Sequence, residues 1–101
     1  MLVVHATFPI DPEKREEALD RAAELVEATR EEPGVIAYSA GTDVQDPNRL
    51  RFVEQYEDAE AFAAHGESEH FATFEAALPD LLAGEPAVTQ FEVSDATELE
   101  L

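Results

Sequence analysis

The chain predicts an α+β fold. It is a ferredoxin-like β-α-β-β-α-β unit with a four-stranded antiparallel sheet and helices on one face. Three observations predict it. Residues 2–9 alternate in character like a half-buried strand, and residues 87–93 read as a strand near the other end of the chain. A long amphipathic helix follows the first strand. The second and third strands are joined by a connection too short for a parallel crossover, so they pair antiparallel.

The elements follow in order. In residues 2–9, Leu2, Val4, Ala6 and Phe8 share one face, Val3, His5 and Thr7 the other, and Pro9 ends the run. Asp11 and Pro12 form a helix start, with Asp11 as N-cap and Pro12 at the first helical position. The helix predicted over residues 12–31 gathers Ala18, Leu19, Ala22, Leu25, Val26 and Thr29 on one side. Glu13, Glu16, Asp20, Glu24, Glu27 and Glu31 fall on the opposite side, so one face meets a core and the other meets water. Glu32-Pro33-Gly34 stops this helix and turns the chain.

Val35 to Thr42 reads as the second strand, with Ile36, Tyr38 and Ala40 on one face. Asp46-Pro47-Asn48 reads as the turn, and Arg49 to Tyr56 as the third strand. Asp58 caps a short helix through about His65, Gly66 breaks it, and Ser68 caps a longer helix to about Leu82. Gly84-Glu85-Pro86 ends that helix before the strand from Ala87 to Val93. Residues 1–101 make a single domain, with residues 94–101 as a tail or an extension of the last strand. One sheet face is expected to be covered by helices. The other is expected to carry Val3, Val35, Ala37, Val53, Phe91 and Val93, an apolar surface that a homodimer would cover.

Composition removes several classes of function. The chain has no cysteine, which excludes disulfides, thiolate ligands and cysteine nucleophiles. Acidic residues number 24 against 6 basic ones, for a net charge of −18. Nucleic acids and anionic membranes call for the opposite charge, so neither is an expected partner. No stretch lacking Asp, Glu, Lys and Arg exceeds ten residues, so no transmembrane helix is expected. Charge from Asp11 onward argues against a signal peptide, and a cytoplasmic protein is expected. The 45% apolar content is that of a folded domain, so the acid coat reads as adaptation to a salt-rich, halophilic interior. Phosphate-binding glycine loops are absent. The spacing from His65 to His70 crosses the predicted helix break, and no i, i+4 histidine pair exists, so no metal is expected.

The segment Glu54-x-Tyr56-x-Asp58-x-x-Ala61-Phe62-x-x-His65-x-x-Ser68-x-His70-Phe71, together with Glu32-Pro33-Gly34 and Tyr38, resembles the antibiotic biosynthesis monooxygenase (ABM) family. The likeness covers nearly the whole chain. It implies a homodimer forming a dimeric α/β barrel, and many such proteins oxidise quinols or phenols without metal or flavin. The implied partners are a small aromatic molecule and dioxygen, with no cofactor. In the haem-degrading branch of the superfamily, an Asn on the first strand, a Trp near the short helix end and a His on the long helix serve haem. Ala6, His65 and Phe74 stand in those places here, so haem degradation is not expected.

His65 is the leading candidate for catalysis. It lies three residues after Phe62 on the short helix, so both side chains point the same way. An imidazole accepts a phenolic proton near neutral pH; the alternative is a helix-end histidine bound to a backbone carbonyl. Tyr38 and Tyr56 offer hydroxyls to a quinol, or are aromatics packed into the sheet. Phe62, Phe71 and Phe74 are expected as core and pocket wall, and His70 flanks the apolar stripe of the long helix as a further binding candidate. His5 has the parity of the dimer face, and Glu54 shares the parity of Phe52 and Tyr56 and needs a partner if buried. The expected activity is therefore a cofactor-independent oxygenase of a quinol-like or polyphenolic substrate. Two alternatives stand beside it: a non-catalytic small-molecule-binding or stress-related dimer, and an isomerase relative using the same pocket.

Overall fold

The alternation in residues 2–9 becomes strand β1 (Leu2–Pro9) at the centre of an antiparallel sheet. The structure, a computed structural model, describes residues 1–101. After β1 come a 3-10 turn (Pro12–Lys14), α1 (Arg15–Thr29), β2 (Val35–Asp43), β3 (Asp46–Tyr56), α2 (Ala59–Gly66), α3 (Glu69–Leu81) and β4 (Ala87–Glu92). The strand order is β2-β3-β1-β4. This is the ferredoxin-like arrangement expected from the order of elements. Residues 94–101 carry no regular structure, and no helix is long and apolar enough to cross a membrane.

Local chemistry explains the boundaries. The Asp11 carboxylate accepts the Glu13 amide, and the first turn after Pro12 is 3-10 before α1 proper begins at Arg15. Ala18, Ala22, Leu25 and Thr29 of α1 are buried, and Glu16, Asp20, Glu24 and Glu27 on its opposite side are exposed, as are Glu13 before it and Glu31 after it. Asp58 accepts the Ala61 amide and caps α2. Ser68 accepts the Phe71 amide, caps α3, and donates its hydroxyl to the His65 carbonyl. Gly66 is the last residue of α2, so the break falls at Glu67 and Ser68.

Two strand readings need correction. The chain reverses at Val44 and Gln45, because Asp43 pairs directly with Asp46. Asp46-Pro47-Asn48 is not the reversal; it forms the irregular start of β3, where the Asn48 amide bonds the Asp46 side chain. The turn chemistry read there is real but local, an Asx turn inside a bulge. The second correction concerns β2. Val35 pairs with Tyr56 and Ala37 with Gln55, leaving Ile36 as an extra residue. This bulge turns Val35 toward the core and leaves Ile36 half exposed, while Tyr38 returns to the core face opposite Glu54.

The register lays cross-strand rows on the helix-covered face. Val4, Glu54 and Tyr38 form one row, and Val88, Ala6, Phe52 and Ala40 form the next. The core between sheet and helices joins Leu2, Val4, Ala6, Leu25, Tyr38, Leu50, Phe52, Tyr56, Phe74 and Leu81.

Candidate active site

The same face of the sheet forms the floor of a cavity of about 420 Å³. Val4, Ala6, Tyr38, Phe52 and Glu54 come from the strands, Phe62, Ala63 and His65 from α2, and Phe71 and Phe74 from α3. The lining is mostly hydrophobic, 12 of 15 residues. Apolar walls with a few polar groups are the usual make-up of a small-molecule site.

The polar wall centres on His65, which is 2% exposed. Its Nε2 meets the Tyr38 hydroxyl at 3.4 Å, and its Nδ1 meets Glu32 Oε2 at 3.0 Å. A carboxylate accepts only, so the proton of the latter bond belongs to Nδ1, and in the neutral imidazole Nε2 is then the acceptor. Burial pushes the Tyr38 hydroxyl far above the usual tyrosine value, helped by the negative charges of Glu54 and Glu32. Tyr38 therefore stays a neutral phenol, which donates to Nε2 when the imidazole is neutral.

Glu32 reaches the site from the Glu-Pro-Gly turn. Gly34 adopts φ +85°, and a Cβ there would sit 2.6 Å from the Ala61 Cβ. Only glycine allows this turn to lie against α2. The Gly34 carbonyl accepts the Glu57 amide at 2.8 Å, which fixes the turn beside the start of α2. Glu32 is thereby held beside His65. The turn was legible as punctuation, but its acid was not recognised as a site residue. No local spacing signals a partner 33 positions away.

His70 bonds the same Glu32 oxygen through Nε2 at 2.5 Å, and its ring lies 6.1 Å from that of His65. It stands behind the cavity wall rather than on it. Glu32, His65 and His70 bring three potential metal donors within 4.8 Å of one another. Two imidazoles and one carboxylate form a set that suits first-row divalent metals. Spacing along the sequence gave no sign of it, because the carboxylate arrives from a distant turn.

Tyr56 takes a different position from Tyr38. It is fully buried, does not line the cavity, and donates its hydroxyl to Glu54 Oε1 at 2.6 Å. Burial, and then the bond and charge of Glu54, push its hydroxyl far above the usual value. Glu54 itself is buried and lines the cavity, and burial raises its carboxyl above the ordinary value against the opposing pull of the Tyr56 bond. Phe62, Phe71 and Phe74 all line the cavity. His5 lies on the opposite sheet face, paired with Val53 and Thr89, with its ring edge-on to Phe91 at 5.2 Å.

The fold and this site define a small α+β domain with an apolar cavity between its sheet and helices, and comparison with known proteins gives its family. The sequence model for antibiotic biosynthesis monooxygenases matches residues 1–77. The chain belongs to that family. YcnE of Bacillus subtilis (strain 168), provisionally named a monooxygenase, is 35% identical across 94% of this chain and 100% of its own. A solved antibiotic biosynthesis monooxygenase superposes with a TM-score of 0.88 at 32% identity, covering 94% of this chain and all of that one. Rv0793 from Mycobacterium tuberculosis superposes with a TM-score of 0.89 at 25% identity, covering 96% of this chain and 98% of its own.

Proposed function

We propose that the protein is a cofactor-independent monooxygenase of a quinol-like or polyphenolic aromatic. The observation that carries this reading is the Tyr38–His65–Glu32 chain on the wall of the apolar cavity. The Tyr38–Nε2 contact is long, so a ligand hydroxyl placed in the cavity competes for that nitrogen. His65 takes the phenolic proton, and Glu32 steadies the imidazolium through Nδ1. Tyr38 then donates to the oxygen left behind. Phe62, Phe71 and Phe74 hold the ring in a dry site.

The electron-rich phenolate adds dioxygen at a ring carbon bearing hydrogen. The peroxide anion so formed takes the proton back from His65, and the hydroperoxide then loses water and leaves a carbonyl on that carbon. One oxygen atom stays in the quinone and the other leaves as water, and the substrate supplies all four electrons.

Supporting this reading further, Val3, Val53 and Phe91 leave an apolar patch on the open sheet face, which a second copy of the chain would cover to form a homodimer. The acid coat, with a net charge of −18, fits a cytoplasm rich in salt. The test is oxygen uptake by chelator-treated protein given a panel of quinols and phenols. Uptake above the buffer control is expected. No uptake across the panel favours a non-catalytic binding protein. Uptake abolished by the chelator and restored by a divalent metal moves the chemistry to the Glu32, His65 and His70 donors.

A further inference from the structure

We propose that Glu54 selects the ligand: its carboxylate receives a hydroxyl of a neutral hydroxyarene and turns away aromatic carboxylates. This rests on the reading of the cavity as an aromatic-binding site and adds which aromatics it admits. The side chains that bring a polar atom to the cavity wall are Tyr38, Glu54 and His65. Glu54 sits on the floor between Val4 and Tyr38 in one cross-strand row. It is 6% exposed, and its Oε1 accepts from Tyr56. Tyr56 is the one protein donor to its carboxyl, and its other oxygen is not sealed in the core.

A buried carboxylate with one donor is costly and gains from another. The cavity supplies none. Tyr38 directs its hydroxyl to His65, and His65 presents a lone pair. Water can serve that oxygen in the empty cavity, and a ligand that displaces the water must replace its donor, a need that a hydroxyl meets. Charge gives the second half of the argument. No lysine or arginine lines the cavity, so an anionic group placed against Glu54 would meet no permanent positive charge beside it, and the imidazolium that His65 can form lies across the cavity from the Glu54 end of the ligand. Like charges at short range in an apolar site disfavour each other strongly. Glu54 and His65 also divide the work. A hydroxyl at His65 is deprotonated, whereas a hydroxyl at Glu54 anchors the ring, so a dihydroxyarene satisfies both.

The test measures binding under nitrogen, apart from any oxidation. The probes are naphthol, its methyl ether and naphthoate, all substituted at the same ring carbon. Wild type should bind naphthol about 10–100-fold more tightly than the ether, the size of one hydrogen bond to a charged group. Naphthoate should bind more weakly still. Glu54→Gln keeps the shape, removes the charge and adds an amide donor, so naphthoate should gain at least about tenfold relative to naphthol.

A naphthol-to-naphthoate ratio unchanged by Glu54→Gln would overturn the proposal. If that variant does not fold, the wild-type series decides, and naphthoate binding as tightly as naphthol overturns it. Absence of binding by all three probes overturns it as well. Oxygen uptake with an unaltered ratio would remove this inference and leave the oxygenase reading in place. A ratio set by Glu54 without oxygen uptake by any phenol would do the reverse.

Discussion

The two faces of the sheet are built from the same strands, alternate residue by residue, and have different fates. On the helix-covered face, Phe52, Glu54 and Tyr56 are buried; one residue along, Val53 is 44% exposed. Histidines divide the same way. His65 is enclosed between Tyr38 and Glu32, whereas His5 lies on the open face beside Phe91. The pleat alone separates the two environments. One face has low-dielectric surroundings that shift carboxyl and phenol ionisation and leave a cavity. The other keeps its residues near water.

Adjacent substitutions give the largest contrast. Phe52→Ala should cost about 3–5 kcal/mol of folding stability, as expected for a buried aromatic. Val53→Ala should cost less than about 1 kcal/mol in the folded monomer and instead weaken self-association. Urea unfolding followed at several protein concentrations separates the two effects. Next comes Tyr56→Phe, which takes the donor from the buried Glu54 carboxylate and should cost about 1–3 kcal/mol. In a Glu54→Gln background that cost should shrink, and an undiminished cost would place the role of Tyr56 in packing alone.

Glu54 also makes the buried face sensitive to pH. Its carboxyl is raised above the ordinary value of 4.5, chiefly by burial, so the fold favours its protonated form. Below the ordinary value it does not oppose folding. As pH rises from there toward the folded value, the unfolded chain ionises first and Glu54 increasingly opposes folding. The melting-temperature advantage of Glu54→Gln over wild type should therefore grow as pH rises through this interval and then level off. A constant difference would show that the carboxylate is not strained by its site. The smallest and most diffuse effect belongs to the acid surface. With a net charge of −18, the melting temperature should rise in potassium chloride as the Debye length falls from about 10 Å at 0.1 M to about 3 Å at 1 M. A flat profile would contradict adaptation to salt.

What the sequence revealed, and what it hid, follows the range of the interactions. Local signals placed β1 at its observed bounds and found the Asp58 and Ser68 caps, because alternation and capping act within a few residues. The bulge at Ile36 was hidden, since it appears only when β2 pairs with β3, and the simple alternation of β2 put Val35 on the wrong face. The hairpin turn was misplaced because Asp46-Pro47-Asn48 makes a side-chain turn without reversing the chain. His65 and Phe62 were legible as cavity residues by helical spacing. Glu32 was not, because a glycine contact with Ala61 delivers it. Glu54 was recognised as a residue needing a partner, and that partner proved to be a phenol two residues along the same strand.

If the proposed chemistry belongs to the buried face alone, paired histidine variants will differ sharply in turnover. With a quinol or phenol that drives oxygen uptake, His65→Ala should lower turnover by about 10²–10⁴-fold, the usual loss on removing a general base. His5→Ala should stay within about twofold of wild type, as a residue outside the cavity. Both variants are checked for folding by circular dichroism and for association by sedimentation. Unchanged turnover in folded His65→Ala, or equal losses in the two variants, would contradict the account.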